Sequence, residues 1–289
     1  MKAYLQLLRV PNLVTSAGDV LAGAFIVSSM GSGPYATLWF LLLSSIMLYA
    51  GGVALNDVMD ASLDQIERPE RPIPSGKIGR EQAFILSCLL LLGGIILSLA
   101  FSQLSFYISL ALVLCIVNYN IWAKKYGIPG ALVMALCRAL NILLGFSFVQ
   151  EHFWDFALLA LLPFLHIIGV TALSRGENHG YTAKRILLIA LLPFAIVLCL
   201  ISLKVFKGSF AFMELFFIAL YCFFQVAAYY PAVRKPTPVF IKRGVKYGIL
   251  SLLILNAALV SIFDGSLHAL IVAFLIVVSS WLSRSISMT

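Results

Sequence analysis

Apolar runs of about 20 residues recur along this chain, each long enough to cross a hydrocarbon layer about 30 Å thick as a helix. They fall at 13–30, 36–55, 82–101, 104–121, 130–149, 156–173, 186–203, 210–230, 245–263 and 267–282. In a bilayer the backbone amides of such a run find their partners within the helix itself. The expectation is an all-α integral membrane protein with nine to ten transmembrane helices. The tenth run decides between nine and ten, since it follows only the short turn Asp264-Gly265-Ser266. Charged residues make up 11% of the chain, against about 25% in soluble proteins, which excludes a soluble globular domain. The first run is preceded by Lys2 and Arg9 and has no small-residue cleavage site, so it reads as a span and not as a cleaved signal. No linker or low-complexity tract interrupts residues 1–289, and a single domain is expected.

The basic residues fix an orientation. Of 20 Lys and Arg, 17 fall in connections on one side, including Lys2, Arg9, Arg68, Arg71, Lys124, Arg175, Lys184 and Arg284. The other side has only Lys204 and Lys207, and Arg138 lies within a span. By the positive-inside rule the basic side, with the N-terminus, is cytoplasmic, in an inner or plasma membrane. The net charge of +8 thus serves topology and phosphate contact, and nucleic acid is excluded as a partner.

Chemistry concentrates after the second run. Asn56, Asp57, Asp60 and Asp64 are followed by Arg68-Pro69-Glu70-Arg71-Pro72-Ile73-Pro74-Ser75-Gly76. On a helix, positions three and four apart share a face, so these oxygens gather within two turns. That is a donor set for a hard cation. Mg²⁺ takes oxygen ligands, usually one or two carboxylates, and fills its remaining positions with water and substrate phosphate. A phosphorylated substrate is implied. The three prolines preclude regular helix and give a stiff cap, whose Arg68 and Arg71 either bond diphosphate oxygens or hold the loop to lipid headgroups.

The order of residues resembles the first aspartate-rich motif of the UbiA family of intramembrane prenyltransferases, Asn-Asp-x-x-Asp-x-x-x-Asp followed by Arg-x-Arg-Pro-Leu/Ile-Pro-x-Gly. Arg9-Val10-Pro11-Asn12 before the first span, and Tyr119 with Lys124-Lys125 after the fourth, extend the similarity. The resemblance implies a helical bundle around a central cavity opening near the cytoplasmic face. It also implies Mg²⁺-dependent transfer of a prenyl group from a prenyl diphosphate to a lipophilic or aromatic acceptor in the membrane. Asn56, Asp57, Asp60 and Asp64 would hold the metal, and Lys124 would meet the diphosphate. The connections after the second and sixth spans are the longest on the basic side, and in the family they carry paired aspartate-rich motifs.

Asp19 lies roughly 11 Å into the first span at 1.5 Å per residue, and Arg138 lies at similar depth in the fifth. A lone charge there costs about 2.5 to 3.5 kcal/mol even on a lenient insertion scale, so the two are expected to pair. Asn12, Thr15, Ser16, Asn118, Tyr119 and Asn141 are expected to line a polar pocket beneath the metal site, unless the asparagines only bond helix to helix. His166 has no second histidine at ligand spacing and reads as a packed residue. Cys88, Cys115, Cys137, Cys199 and Cys222 lie within spans and read as packing residues.

The second motif departs from the family pattern. Where three acids would stand, the chain has Ser174-Arg175-Gly176-Glu177-Asn178-His179. Only Glu177 remains as an acid, and His is a poor magnesium ligand. This combination resembles the EboC-type branch of the family, whose members occur with biosynthetic and export genes. One metal is then expected, with Arg175 as a catalytic cation, Lys184 and Glu177 as substrate contacts, and partners from the same pathway. The alternative is a bundle that binds a prenyl compound without transferring it, assisting export or assembly.

Overall fold

The computed structural model describes residues 2–177, 180–208 and 211–284. Asn178 and His179 of the second motif, and the expected start of the eighth span at 210, lie outside the described residues. A short helix α1 (Lys2–Leu7) precedes α2 (Val10–Ser28), α3 (Leu38–Met59), the short α4 (Ala61–Glu67), α5 (Arg80–Phe101), α6 (Gln103–Ile121) and α7 (Gly127–Phe146). The one-turn α8 (Phe153–Phe156) leads through a 3-10 turn into α9 (Leu161–Ser174), followed by α10 (Ala183–Lys207), α11 (Phe212–Arg234), α12 (Pro238–Phe263) and α13 (Ser266–Leu282).

Among the described residues nine helical stretches are long and apolar enough to cross a membrane, as an integral multi-pass protein requires. The tenth run is helical too, but with 17 residues α13 is shorter than any of those nine stretches. It packs along α2 and α12, and Ser279 Oγ donates to the Pro11 carbonyl at 2.9 Å. The helices extend a few residues beyond several of the runs, most of all at the start of α12. α12 starts at Pro238, ahead of the apolar run, because Pro is favoured in the first helical turn and Lys242, Arg243 and Lys246 are good helix formers.

α2, α7 and α12 form the centre. Every residue of α12 from Leu250 to Ile262 is buried, whereas α5 and α10 present stripes such as Leu89, Leu92, Ile96 and Leu187, Leu191, Phe194 outward. Such stripes suit contact with lipid. Helices in lipid gain little from apolar burial against each other, so small residues that permit close backbone approach hold them together. Between α3 and α5, Ser87 Oγ donates to the Gly51 carbonyl at 2.8 Å and Ser44 Oγ to that of Gly94 at 2.7 Å. Between α2 and α7, Gly23 and Gly145 face each other: a Cβ on Gly23 would stand 2.7 Å from the Ile142 carbonyl oxygen, and one on Gly145 would stand 2.6 Å from that of Val20. This contact sets the separation at which the polar groups of α2 and α7 meet.

Candidate active site

The first motif sits where α3 ends. The helix breaks at Asp60 (φ −91°, ψ 1°) and resumes as α4, yet Asp60 N–H still reaches the Asn56 carbonyl at 2.9 Å and Asp64 N–H that of Asp60 at 2.8 Å. The bend therefore keeps helical spacing, and the acids stay at one end of the bundle. Asp57 and Asp64 are buried, and Asp60 is half-buried.

Each carboxylate is met by a cation from another segment. Arg9 Nη2 lies 2.8 Å from Asp57 Oδ1, and Arg71 Nη1 bridges Asp57 Oδ1 at 3.2 Å and Asp64 Oδ2 at 2.8 Å. Lys124 Nζ donates to Asp60 Oδ1 at 2.5 Å, and Asn56 Nδ2 donates to Asp60 Oδ2 at 3.0 Å. Three carboxylates against three cations make a charge-balanced cluster. The proline-containing loop is built of turns, with Gly76 at φ +73° and Ile78 N–H bonded to the Pro72 carbonyl at 3.1 Å. It brings Arg71 back over the acids. Arg80 Nε caps the Val58 carbonyl at 3.1 Å.

Arg9 was not among the residues expected in the site. It occupies the left-handed region at φ 46°, at the elbow between α1 and α2, a conformation that costs a non-glycine residue about 1 to 3 kcal/mol. α1 packs its buried Leu7 with Ala54, Val58, Ile78 and Ala83, and the elbow then turns the guanidinium onto Asp57. Its signals in the sequence are a basic residue before the first span and its place in Arg9-Val10-Pro11-Asn12.

Lys124 lies in a 3-10 turn, Ala123–Lys125, and points inward while Lys125 is exposed. Tyr119 is half-buried within electrostatic reach of Asp60, Arg9 and Arg175. Asn118 is a correction. It shares the exposed face of α6 with Tyr107, Leu110, Leu114 and Ile121, at helical spacing, and so turns away from the bundle. Asn120 faces inward instead, beneath Leu112 and Ile116, and donates to the Ile116 carbonyl at 2.9 Å.

The second motif is also arranged differently from expectation. Arg175 Nη2 donates to the Tyr126 carbonyl at 2.8 Å and packs against Gly130. It therefore ties the end of α9 to the turn that carries Lys124, and contacts none of the three acids. Glu177 is half-buried next to Arg68 and Lys242; burial pushes its carboxyl above the ordinary value, and the two cations pull it back. Arg68 of the first-motif loop thus lies within electrostatic reach of Glu177. Lys184 is exposed in the first turn of α10, and Arg185 stacks over Tyr181 at 4.2 Å.

Deeper in the bundle the expected pair forms. Arg138 Nε lies 2.7 Å from Asp19 Oδ2. Asn141 Nδ2 donates to Asp19 Oδ2 at 3.0 Å and Asn256 Nδ2 to Asp19 Oδ1 at 2.7 Å. Ser45 Oγ donates to Asn141 Oδ1 at 2.7 Å and lies 2.5 Å from Ser16 Oγ. Asn12 is buried nearer the acids, and Thr15 Oγ1 donates to its carbonyl at 2.7 Å. His166 is a packed residue as expected, its Nε2 on the Gly248 carbonyl and its Nδ1 on the Tyr221 hydroxyl, both at 2.9 Å.

The donors at the bundle end fit magnesium in kind, since all are oxygens of Asp57, Asp60, Asp64 and Asn56. Among the described residues no three acid, His or Cys side chains converge closely enough to cage a metal by themselves. The expected ligand set is thus not a preformed cage: each carboxylate is engaged by a cation, and an ion held there would complete its shell with phosphate oxygens or water.

A model of the UbiA prenyltransferase family matches residues 19–176, from the first span to the second motif. The digeranylgeranylglyceryl phosphate synthase of Sulfurisphaera tokodaii is 36% identical over 171 residues, 59% of this chain and 60% of the relative. The match thus spans about three-fifths of that curated relative. In fold, a UbiA homologue from Aeropyrum pernix superposes with TM-score 0.68 at 14% identity, over 85% of this chain and 96% of that one. A UbiA homologue from Archaeoglobus fulgidus, solved with GPP and Mg²⁺, gives TM-score 0.64 at 14% identity, over 89% and 99%.

Proposed function

The chain belongs to the UbiA prenyltransferase family, and on that premise we propose that it transfers a prenyl group from a prenyl diphosphate to a lipophilic acceptor inside the membrane. The observation that carries this reading is the cluster of Asp57, Asp60 and Asp64 with Arg9, Arg71 and Lys124 at one end of an apolar bundle. It combines oxygen ligands for a cation with cations for a diphosphate. We place this end on the cytoplasmic side, where 17 of the 20 basic residues belong.

One or two of Asp57, Asp60 and Asp64 would hold Mg²⁺, which would supply Lewis-acid neutralisation of the diphosphate charge. Arg71 and Lys124 then exchange their carboxylate partners for diphosphate oxygens, where a guanidinium fork and a mobile ammonium suit the developing negative charge. The bond from prenyl C1 to the bridging oxygen breaks with both electrons leaving on the diphosphate. The allylic cation is sheltered from water by the apolar bundle, and the acceptor's nucleophilic atom attacks it with loss of a proton. Arg175 contributes by holding the Tyr126 turn, and so Lys124, in place. The name of the Sulfurisphaera relative describes a glyceryl phosphate carrying two geranylgeranyl groups. We therefore assign the acceptor to the class of prenylated glyceryl phosphates with a remaining hydroxyl.

The altered second motif, which resembles the EboC-type branch, favours a second reading: a bundle that binds a prenyl compound for a biosynthetic or export partner. The intact first motif argues for catalysis. Thermal stabilisation by Mg²⁺ with a prenyl diphosphate separates the metal assignment from its absence. The parent protein should be stabilised only by the two together, and Asp60→Ala should abolish the shift. Equal stabilisation of Asp60→Ala would overturn the assignment.

A further inference from the structure

The polar hub around Asp19 leaves two groups unsatisfied. Asn256 is fully buried, and its Nδ2 is committed to Asp19 Oδ1, which only accepts. The amide orientation is thereby fixed, and Asn256 Oδ1 is left buried without a partner among the described residues. Arg138, 8% exposed, touches Asp19 through Nε alone, off the N–H axis, with the Tyr49 ring 6.0 Å from its guanidinium carbon. Its Nε is thereby buried without a hydrogen-bond partner among the described residues. A buried carbonyl without a donor and a buried guanidinium N–H without an acceptor each carry a desolvation cost that a bound group would remove.

We infer that Arg138 and Asn256, held on the two oxygens of one carboxylate, form a subsite for a neutral hydroxyl group of the acceptor. A hydroxyl is the one common group whose single oxygen both accepts from a guanidinium and donates to a carbonyl. A second anion does not suit the place. Asp19 already neutralises Arg138, so an added phosphate would leave net negative charge in a low-dielectric interior. Water has the same hydrogen-bonding chemistry and is the alternative occupant that the test must exclude. The inference rests on the reading that a lipophilic acceptor enters the bundle, and it adds the chemistry by which that acceptor is recognised.

The test compares binding of an alkylglyceryl phosphate that has a free hydroxyl with its deoxy analogue, to the full-length protein in nanodiscs. Binding of Mg²⁺ with geranylgeranyl diphosphate is read in parallel on the same samples. The parent should prefer the hydroxylated probe by about tenfold or more, as sites built to bond a hydroxyl do, and Asn256→Leu should cut the preference to below about threefold. If Asn256→Leu does not fold, Arg138→Lys, which keeps the charge beside Asp19 but loses the planar fork, takes its place. Equal binding of both probes, or binding of neither, would mean a resident water only and overturn the subsite. Unchanged preference in the variant would do the same. Because prenyl diphosphate binding is read separately, its loss in the parent would overturn the transferase reading instead.

Discussion

Arg138 on α7 and Asp19 on α2 meet at 2.7 Å in the middle of the bundle, where the two glycines Gly23 and Gly145 bring their helices together. Asn256 of α12 completes the junction, so one carboxylate joins the three central helices. Removing one partner of a buried pair leaves an uncompensated charge, at about 3 to 5 kcal/mol. Asp19→Asn should therefore destabilise strongly, and adding Arg138→Gln should recover part of the loss. A double-mutant cycle by thermal or denaturant unfolding should give a coupling of at least about 1 kcal/mol; strict additivity would show that the contact does not couple the helices.

The glycine contact makes a sharper geometric prediction. A methyl group on Gly145 would collide with backbone, 2.6 Å from the Val20 carbonyl oxygen, and no rotamer change relieves that. Gly145→Ala should lower stability by about 1 to 3 kcal/mol, as overpacking does. Gly76→Ala provides the contrast, because no atom lies within 4 Å of a Cβ there and only the positive φ of 73° opposes it. Its effect should be smaller by melting temperature, and a reversed order would mean that α2 and α7 are further apart.

Arg175 and Lys124 should separate on substitution. Lys124 touches Asp60 directly, whereas Arg175 acts through the Tyr126 carbonyl. Lys124→Ala should weaken diphosphate binding by about tenfold or more, the worth of a charge-assisted hydrogen bond. Arg175→Ala should mainly lower the melting temperature, with a diphosphate affinity within about threefold of the parent. An Arg175→Ala protein that is fully stable yet has lost diphosphate binding would place the guanidinium on the substrate.

The spans, the first-motif cluster and the Asp19 pair were legible because each rests on a cost that local sequence exposes. A run of 20 apolar residues has few other folds, and a charge inside one needs a partner. What was not legible depended on which way a helix turns. Both faces of α6 are apolar, so its periodicity carries no mark of the inner side, and Asn118 was expected inside where Asn120 stands. Arg9 reaches Asp57 only through the elbow after α1, and Arg175 reaches Tyr126 only because α9 ends beside α7. Asn256 was not among the expected residues, because its partner on α2 is a tertiary fact.

Prenyl transfer at the first-motif cluster would release diphosphate. The most direct measurement is release of diphosphate from a panel of prenyl diphosphates by the purified protein in nanodiscs, with a prenylated glyceryl phosphate present and Mg²⁺ added or chelated. Release should require both Mg²⁺ and acceptor and fall at least about a hundredfold in Asp64→Ala, the scale of losing one electrostatic stabiliser of a transition state. Release by the parent that persists in chelator, or that Asp64→Ala retains in full, would contradict prenyl transfer at this cluster.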